Sequence, residues 1–298
     1  MNKKQRINMF LLVLPFIALV VVFNYVPLFG WAYAFVDFNP GVPLLQQEFV
    51  GFKYFKLILD GGNDFSIVMR NTLVMSFLGI LTSPLPIIFA IMLSEIRNRV
   101  VSKWIQTVTS IPNFISWVLV YAIFFSFFSL EDGVVNKLMI SLGLIETATN
   151  ILGSDGYAWF FQLMVSIWKG TGWGAIIYLA AIAGIDPELY NAADVDGAGR
   201  FQKIWYITVP SLMPTYFVLL LLSISGMLSN GFEQYYVFQN PLNIDKLEVL
   251  DTYIYSIGIG RAEYAFSTAI GIFKSVVSII LLLSVNWLSK AVRKESII

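Results

Sequence analysis

The chain contains no cysteine and no histidine in 298 residues. The first absence excludes disulfides, thiolate nucleophiles and cysteine metal sites, and leaves the redox compartment unreadable. The second excludes H-E-x-x-H zinc sites and histidine-based triads. No G-x-x-x-x-G-K-[ST] stretch occurs, so ATP that powers this protein must be hydrolysed by another chain. Charge is also scarce, at 13% of residues with a formal balance of zero, which points away from a nucleic-acid partner. A hydrophobic share of 57% and an aromatic share of 16% lie outside the soluble range and point to a lipid environment.

Apolar runs long enough to cross a bilayer confirm that direction. Met1 to Arg6 is a basic tail, and Ile7 to Gly30 is too long for a signal-peptide core and lacks a small-residue cleavage site. It is expected to stay as a first helix. Trp31 to Phe65 is a polar outer region carrying D-F-N-P-G and F-V-G-F-K-Y-F, with aromatics suited to headgroup depth. Further spans are expected at about Val68–Ser94, Ile105–Phe128, Tyr157–Gly184, Ser211–Asn230 and Phe266–Leu288, with a kink at Ser83-Pro84-Leu85-Pro86. Basic residues accumulate on the side of the termini (Lys3, Lys4, Arg6, Arg97, Arg99, Lys103, Arg200, Lys203, Lys290, Arg293, Lys294). Only Lys53, Lys56, Lys137, Lys246 and Arg261 fall clearly opposite. By the positive-inside rule both termini are cytoplasmic.

The stretch Asp186 to Pro214 is the polar exception between two apolar segments. Asp186-Pro187 is a helix start, with a carboxylate to cap free N–H groups and a proline where no hydrogen bond is lost. Glu188 to Ala193 continue a short helix, and Gly197 supplies a stop that needs positive φ. Phe201, Ile204, Trp205 and Ile207 then form a second amphipathic run ahead of Pro210 and Pro214. The result is a cytoplasmic helix-turn-helix loop built to be gripped.

Asn191-Ala192-Ala193, Gly197, Ile207 and Pro210 stand at the spacing E-A-A, three residues, G, nine residues, I, one residue, L-P. The stretch resembles the cytoplasmic loop of permeases of binding-protein-dependent ABC importers, with Asn191 for the family's glutamate and Val209 for its leucine. The V-G-x-x-x-F element at Val50–Phe55 is similar too. So are S-N-G-F-E-Q (Ser229–Gln234), Q-N-P (Gln239–Pro241), D-T-Y-I-Y (Asp251–Tyr255) and G-I-F-K-S-V (Gly271–Val276), which resemble polysaccharide-type carbohydrate permeases.

The resemblance covers nearly the whole chain and implies an all-α, six-helix integral membrane protein with the type I importer permease fold. It reads as a single permease domain, with an extra N-terminal helix at about 7–30, a core at about 68–290 and a coupling loop at 186–210. The implied partners are a second homologous permease, two cytoplasmic ATPases, an extracellular solute-binding protein and a carbohydrate. The implied setting is the bacterial cytoplasmic membrane. No cofactor is expected on this chain; ATP and Mg belong to the partner ATPase. Glu188, Asn191, Ala192, Ala193, Asp194 and Gly197 are the expected ATPase-coupling residues.

Polar residues inside spans are costly and face the protein interior. Gln162, Ser166, Lys169 and Trp173 stand at i, i+4, i+7 and i+11, which reads as one helical face, and Ser223, Met227, Asn230 and Gln234 repeat those intervals. By offset from the Ala192-Ala193 pair, Gly170, Trp173, Ser223, Met227 and Asn230 correspond to cavity positions of maltose-type relatives. The candidate substrate path is therefore Gln162, Lys169, Gly170, Trp173, Ser223, Met227, Asn230 and Gln234. The alternative for each is helix–helix glue. Lys169 needs a partner in its span: Glu233 would make its charge structural, whereas a passing anion would make the sugar acidic. An ion-coupled secondary transporter would need inverted repeats and intramembrane carboxylates, and an intramembrane enzyme would need a catalytic set. Asp and Glu lie almost entirely in loops, and no repeat is visible.

Overall fold

A computed structural model describes residues 3–293. The chain is helical nearly throughout. In order it forms α1 (Lys3–Val20), continued by tighter and wider turns to Phe35, then β1 (Val36–Asp37), β2 (Glu48–Phe49), α2 (Lys53–Asp60), α3 (Asn63–Thr82) and α4 (Pro84–Ser94). Next come α5 (Arg99–Phe114), α6 (Trp117–Phe128), α7 (Val134–Ser141), α8 (Ala158–Ala183), α9 (Pro187–Val195), α10 (Arg200–Lys203) and α11 (Val209–Ser225). The chain closes with α12 (Phe232–Phe238), α13 (Ile244–Leu247), α14 (Leu250–Tyr255) and α15 (Tyr264–Arg293).

Five helical stretches among the described residues are long and apolar enough to cross a membrane: Met9–Phe35, Asp64–Ser94, Ala158–Ala183, Arg200–Ser225 and Tyr264–Trp287. A sixth arises if α5 and α6 are counted together, although they meet at 103°. The span expected over Ile105–Phe128 thus falls in two helices separated by a break. Ile115 is extended (φ −78°, ψ 132°), and Ser116 restarts the helix by accepting from the Leu119 N–H. Pro112 in the last turn of α5 weakens the ladder there. The expected interruption at Ser83–Pro86 costs less: α3 ends at Thr82, α4 begins at Pro84, and the two continue as one candidate span. The fifth span differs at both ends. It begins at Arg200 and stops at Ser225, so Met227, Asn230 and Gln234 do not lie on that helix.

The chain divides into two compact units. One comprises the N-terminal residues through Phe65 together with Tyr253–Val277. Within it, α1 exposes apolar side chains on every side, as a helix surrounded by lipid must. The stretch after the first helix is ordered by the β1–β2 pair (Val36↔Phe49) and by Phe35, whose ring meets Phe52 at 5.6 Å and Phe55 at 5.5 Å. These rings come from the V-G-x-x-x-F segment, so its aromatics seat α2. Tyr54 donates to Asp37 Oδ1 (2.9 Å), and burial together with that carboxylate pushes its hydroxyl up to about 12.

The other unit runs from Ser66 to Thr252 and resumes at Ser278. Its central element is α8, packed against α4, α5, α11 and α13. At roughly 1.5 Å per residue, its 26 residues exceed the hydrocarbon thickness. Ile87, Ala90, Ala175, Tyr178 and Leu212 close its C-terminal half, and Val120, Phe161, Val165, Phe238 and Leu247 close its N-terminal half. Gly172 is where α8 and α5 touch: a Cβ there would stand 2.1 Å from the Thr109 carbonyl oxygen. Only glycine permits that approach.

Candidate functional site: a coupling helix, a clipped break and a neutral cavity

The Asp186–Pro214 stretch folds as its residues dictate. Asp186 Oδ1 accepts from the Glu188 N–H (2.9 Å), Pro187 takes the first turn, and α9 follows. Gly197 ends it at φ +76°, while the Ala198 N–H returns to the Ala193 carbonyl (2.9 Å). No residue of α9 is buried; Glu188, Asn191, Ala192 and Asp194 are exposed, and Ala193 is half-buried. Asp194 is already engaged by Lys203 (2.6 Å), so it braces the turn from within. Tyr190 shares a hydrogen bond with Thr208 Oγ1 (2.9 Å), and Arg200 pairs with the Glu95 carboxylate while Nη2 donates to its carbonyl (2.9 Å). These contacts tie the α9–α10 hairpin to α4 and to the start of α11. The helix that follows Gly197 is one continuous stretch from Arg200 to Ser225, where the sequence suggested a loop followed by a separate span.

The expected common face of α8 separates into two. Lys169 is buried, and its ammonium donates to the carbonyls of Pro112 (2.9 Å), Asn113 (3.1 Å) and Ile115 (2.5 Å). The Trp117 ring lies 5.0 Å from Nζ. The α5–α6 break leaves the Asn113 and Ile115 carbonyls outside the helical ladder, while the Pro112 carbonyl also accepts from the Ile115 N–H (3.2 Å), and a cation at a helix C-terminus meets the negative end of its dipole. Glu233, the partner the sequence offered, is exposed, and no ion pair to Lys169 occurs among the described residues. Trp173 sits on the same side, edge-on to Phe114 at 5.2 Å. Carbonyl groups, which no side-chain inventory counts, complete the lysine.

The opposite side of α8 faces a cavity of about 610 Å³. Of the eight expected path residues, Gly170, Ser223, Met227, Asn230 and Gln234 line it, and Gln162, Lys169 and Trp173 do not. A 3.6-residue period explains the division. Ser166, Gly170 and Gly174 follow one another at i+4, whereas Lys169 and Trp173 are rotated towards α5. Gln162 stands just behind the wall, accepting at Oε1 from Gln234 Nε2 (2.8 Å), which also reaches Ser166 Oγ (2.9 Å).

The remaining wall comes from places the sequence reading did not single out. Ser76 and Ser83 on α3 and its exit, and Tyr216 on α11, all face the cavity, with Ser83 Oγ and Tyr216 OH 3.1 Å apart. The i, i+7 spacing of Ser76 and Ser83 was an available signal. Ser76 also holds the non-helical Gly226–Gly231 segment: its Oγ donates to the Met227 carbonyl and accepts from Asn230 Nδ2 (2.8 Å). Met227 and Asn230 therefore reach the cavity from a break anchored by α3. Asn230 Oδ1 is buried and has no hydrogen-bond partner among the described residues, so its acceptor capacity there is unused. The lining is apolar surface interleaved with hydroxyls and amides, and it contains no charged side chain.

Comparison with known proteins follows the same lines. Residues 82–294 match the family model described as "Binding-protein-dependent transport system inner membrane component". The chain is 42% identical over 292 residues to Protein LplB of Bacillus subtilis (strain 168), covering 97% of this chain and 90% of that one. It is 37% identical over 294 residues to the polygalacturonan/rhamnogalacturonan transport system permease protein YteP of the same organism, covering 98% and 91%. Among solved structures it matches, with a TM-score of 0.87 and 34% identity over 97% of both chains, a bacterial ABC transporter involved in the import of the acidic polysaccharide alginate. The helical architecture, the E-A-A-like loop and a family match spanning most of the chain lead to one conclusion: this protein belongs to the binding-protein-dependent transport system inner membrane components, with the type I ABC importer permease fold.

Proposed function

We propose that this chain is the permease subunit of an ATP-driven importer that moves an acidic oligosaccharide into the cell. The observation that carries the carbohydrate reading is the cavity wall, where hydroxyls and amides alternate with apolar surface and Asn230 Oδ1 is left free to accept. Sugars present both hydroxyl donors and C–H faces, and such a wall can meet both. The acidic character is supported by the similarity to YteP and to the alginate importer, whose names specify polymers built wholly or partly of uronic acids.

In this reading an extracellular binding protein delivers the sugar, and a second, homologous permease supplies the opposite wall. Two cytoplasmic ATPases grip α9. Hydrolysis and its Mg ion reside on those partners, and this chain has no enzymatic activity of its own. Both termini and the α9 end face the cytoplasm, on the positive-inside argument. Gly170, Ser223, Met227, Asn230 and Gln234 contact the sugar directly, and Gln162 orients Gln234 from behind. Lys169 and Trp173 serve the path by fixing the α5–α6 break.

Reconstitution of the assembled transporter in proteoliposomes tests this. Uptake of a labelled oligogalacturonide is expected to require internal ATP and the loaded binding protein, and Asn230→Leu is expected to weaken it about 10-fold, as when a buried polar contact is lost. Uptake driven by an ion gradient without ATP would overturn the reading.

A further inference from the structure

Beyond the cavity wall, on the side away from α9, two cations form no ion pair among the described residues. The helices α3 and α8 wall the cavity with Met75 and Ser76 on one side and Leu163 and Ser166 on the other. Followed away from the coupling loop, α3 reaches Arg70 and α8 reaches Trp159. The Trp159 indole N–H donates to the Lys246 carbonyl (2.8 Å), and Lys246 Nζ lies 4.4 Å from the ring centroid. Arg70 Cζ lies 5.7 Å from the same ring, while its Nη2 donates to the Asp245 carbonyl (2.9 Å). The ring therefore gathers two positive charges into one place.

That place is rigidly tied to the cavity. Trp159 packs against the buried cluster of Met75, Tyr235 and Val249, of which the first two are themselves cavity wall. Asn71 fastens the Asp245–Glu248 turn by donating to both carbonyls at 3.0 Å. Asp245 gives Arg70 its carbonyl, and neither cation forms an ion pair among the described residues. Below it, no charged side chain lines the cavity.

We infer that Arg70, Trp159 and Lys246 form a receiving site for a sugar carboxylate at the outer rim of the cavity. The inference rests on the acidic-oligosaccharide reading above. Two cations at an entrance raise the local concentration of an anion and orient its approach. Because they sit outside the neutral cavity, the carboxylate is selected on entry and need not be desolvated against a buried ammonium deeper in. Charge selection and hydroxyl recognition are thereby assigned to different places along one path.

The variant of choice is Lys246→Gln, because Nζ makes no hydrogen bond among the described residues and its removal leaves the Arg70 and Trp159 anchors intact. The measurement is ATP-dependent uptake by the complete transporter in proteoliposomes, using tetragalacturonate and its fully methyl-esterified form side by side. The expected result is a KM for the charged sugar raised about 5- to 10-fold, the scale of a lost charge-assisted contact, with kcat and ester uptake unchanged and with Lys246→Arg restoring the native value. An unchanged KM for the charged sugar overturns the site. So does an equal loss for both sugars, which would assign the cations to docking of the binding protein. A wild-type transporter that imports the ester and rejects the acid overturns the acidic reading itself, whatever the variant does.

Discussion

At the scale of single residues, Lys169 shows how a buried charge can be satisfied without a carboxylate. Three carbonyls at one helix break accept from its ammonium, at 2.5–3.1 Å, and the Pro112 carbonyl accepts from the Ile115 N–H as well. Replacing it with methionine takes the donor away from the Asn113 and Ile115 carbonyls, at about 1–3 kcal/mol for an unsatisfied buried group. Lys169→Met is therefore expected to lower the melting temperature of the purified complex and to reduce uptake of charged and methyl-esterified sugars alike. A loss confined to charged sugars, with unchanged thermal stability, would instead make the ammonium part of an anion path. Asn230 is the complementary case. Its Nδ2 is spent on Ser76, and its Oδ1 is kept free at the cavity wall.

At the scale of elements, α9 is a helix without a tertiary partner of its own. Its residues are exposed, and the contacts that hold it come from the hairpin around it: Asp194 with Lys203, and Tyr190 with Thr208. The turn at Gly197 sets the angle between α9 and the Arg200–Ser225 helix, which runs on to the cavity at Ser223. A Cβ at Gly197 would meet nothing within 4 Å, so the constraint there is backbone conformation at φ +76° and not crowding. A β-branched residue in that region costs about 1–3 kcal/mol. Gly197→Val should reach the membrane in ordinary amounts yet uncouple hydrolysis from transport, read as ATPase activity that binding protein and sugar no longer stimulate. Normal coupled uptake by this variant would rule out the rigid-lever role. Lys203 and Asp194 would then brace a loop whose angle has no mechanical consequence.

At the scale of the whole molecule, the question is what completes the path. The cavity described here is built by one chain from α3, α8, α11 and the segment through Tyr235, and a translocation path needs a facing wall. A second permease of related but different sequence is expected to supply it. Native mass measurement of the purified transporter should give one copy of this chain, one of a homologous permease and two ATPases. Two copies of this chain with no other permease would establish a homodimer instead.

Periodicity and punctuation were enough to read the spans, because a bilayer forces long apolar helices and tolerates little else. The Asp186-Pro187 start, the Gly197 stop and the spaced Ala192-Ala193 pair were legible for a similar reason: caps and turns are local chemistry, decided by residues a few positions apart. Gly170, Ser223, Met227, Asn230 and Gln234, the residues expected on the path, line the cavity, although the sequence put the last three on a continuous helix. What it could not decide is where a helix breaks under tertiary contacts. The bend after Phe114 and the end of α11 at Ser225 depend on Lys169 reaching the freed carbonyls and on Ser76 holding Met227 and Asn230, contacts between segments 54 to 154 residues apart. The end of α11 at Ser225 lets Asn230 reach the cavity from a non-helical segment, whereas the helical period of α8 turns Lys169 and Trp173 towards α5. Backbone carbonyls carry no signature in a sequence, so a charge that they satisfy can be located only once the chain is folded.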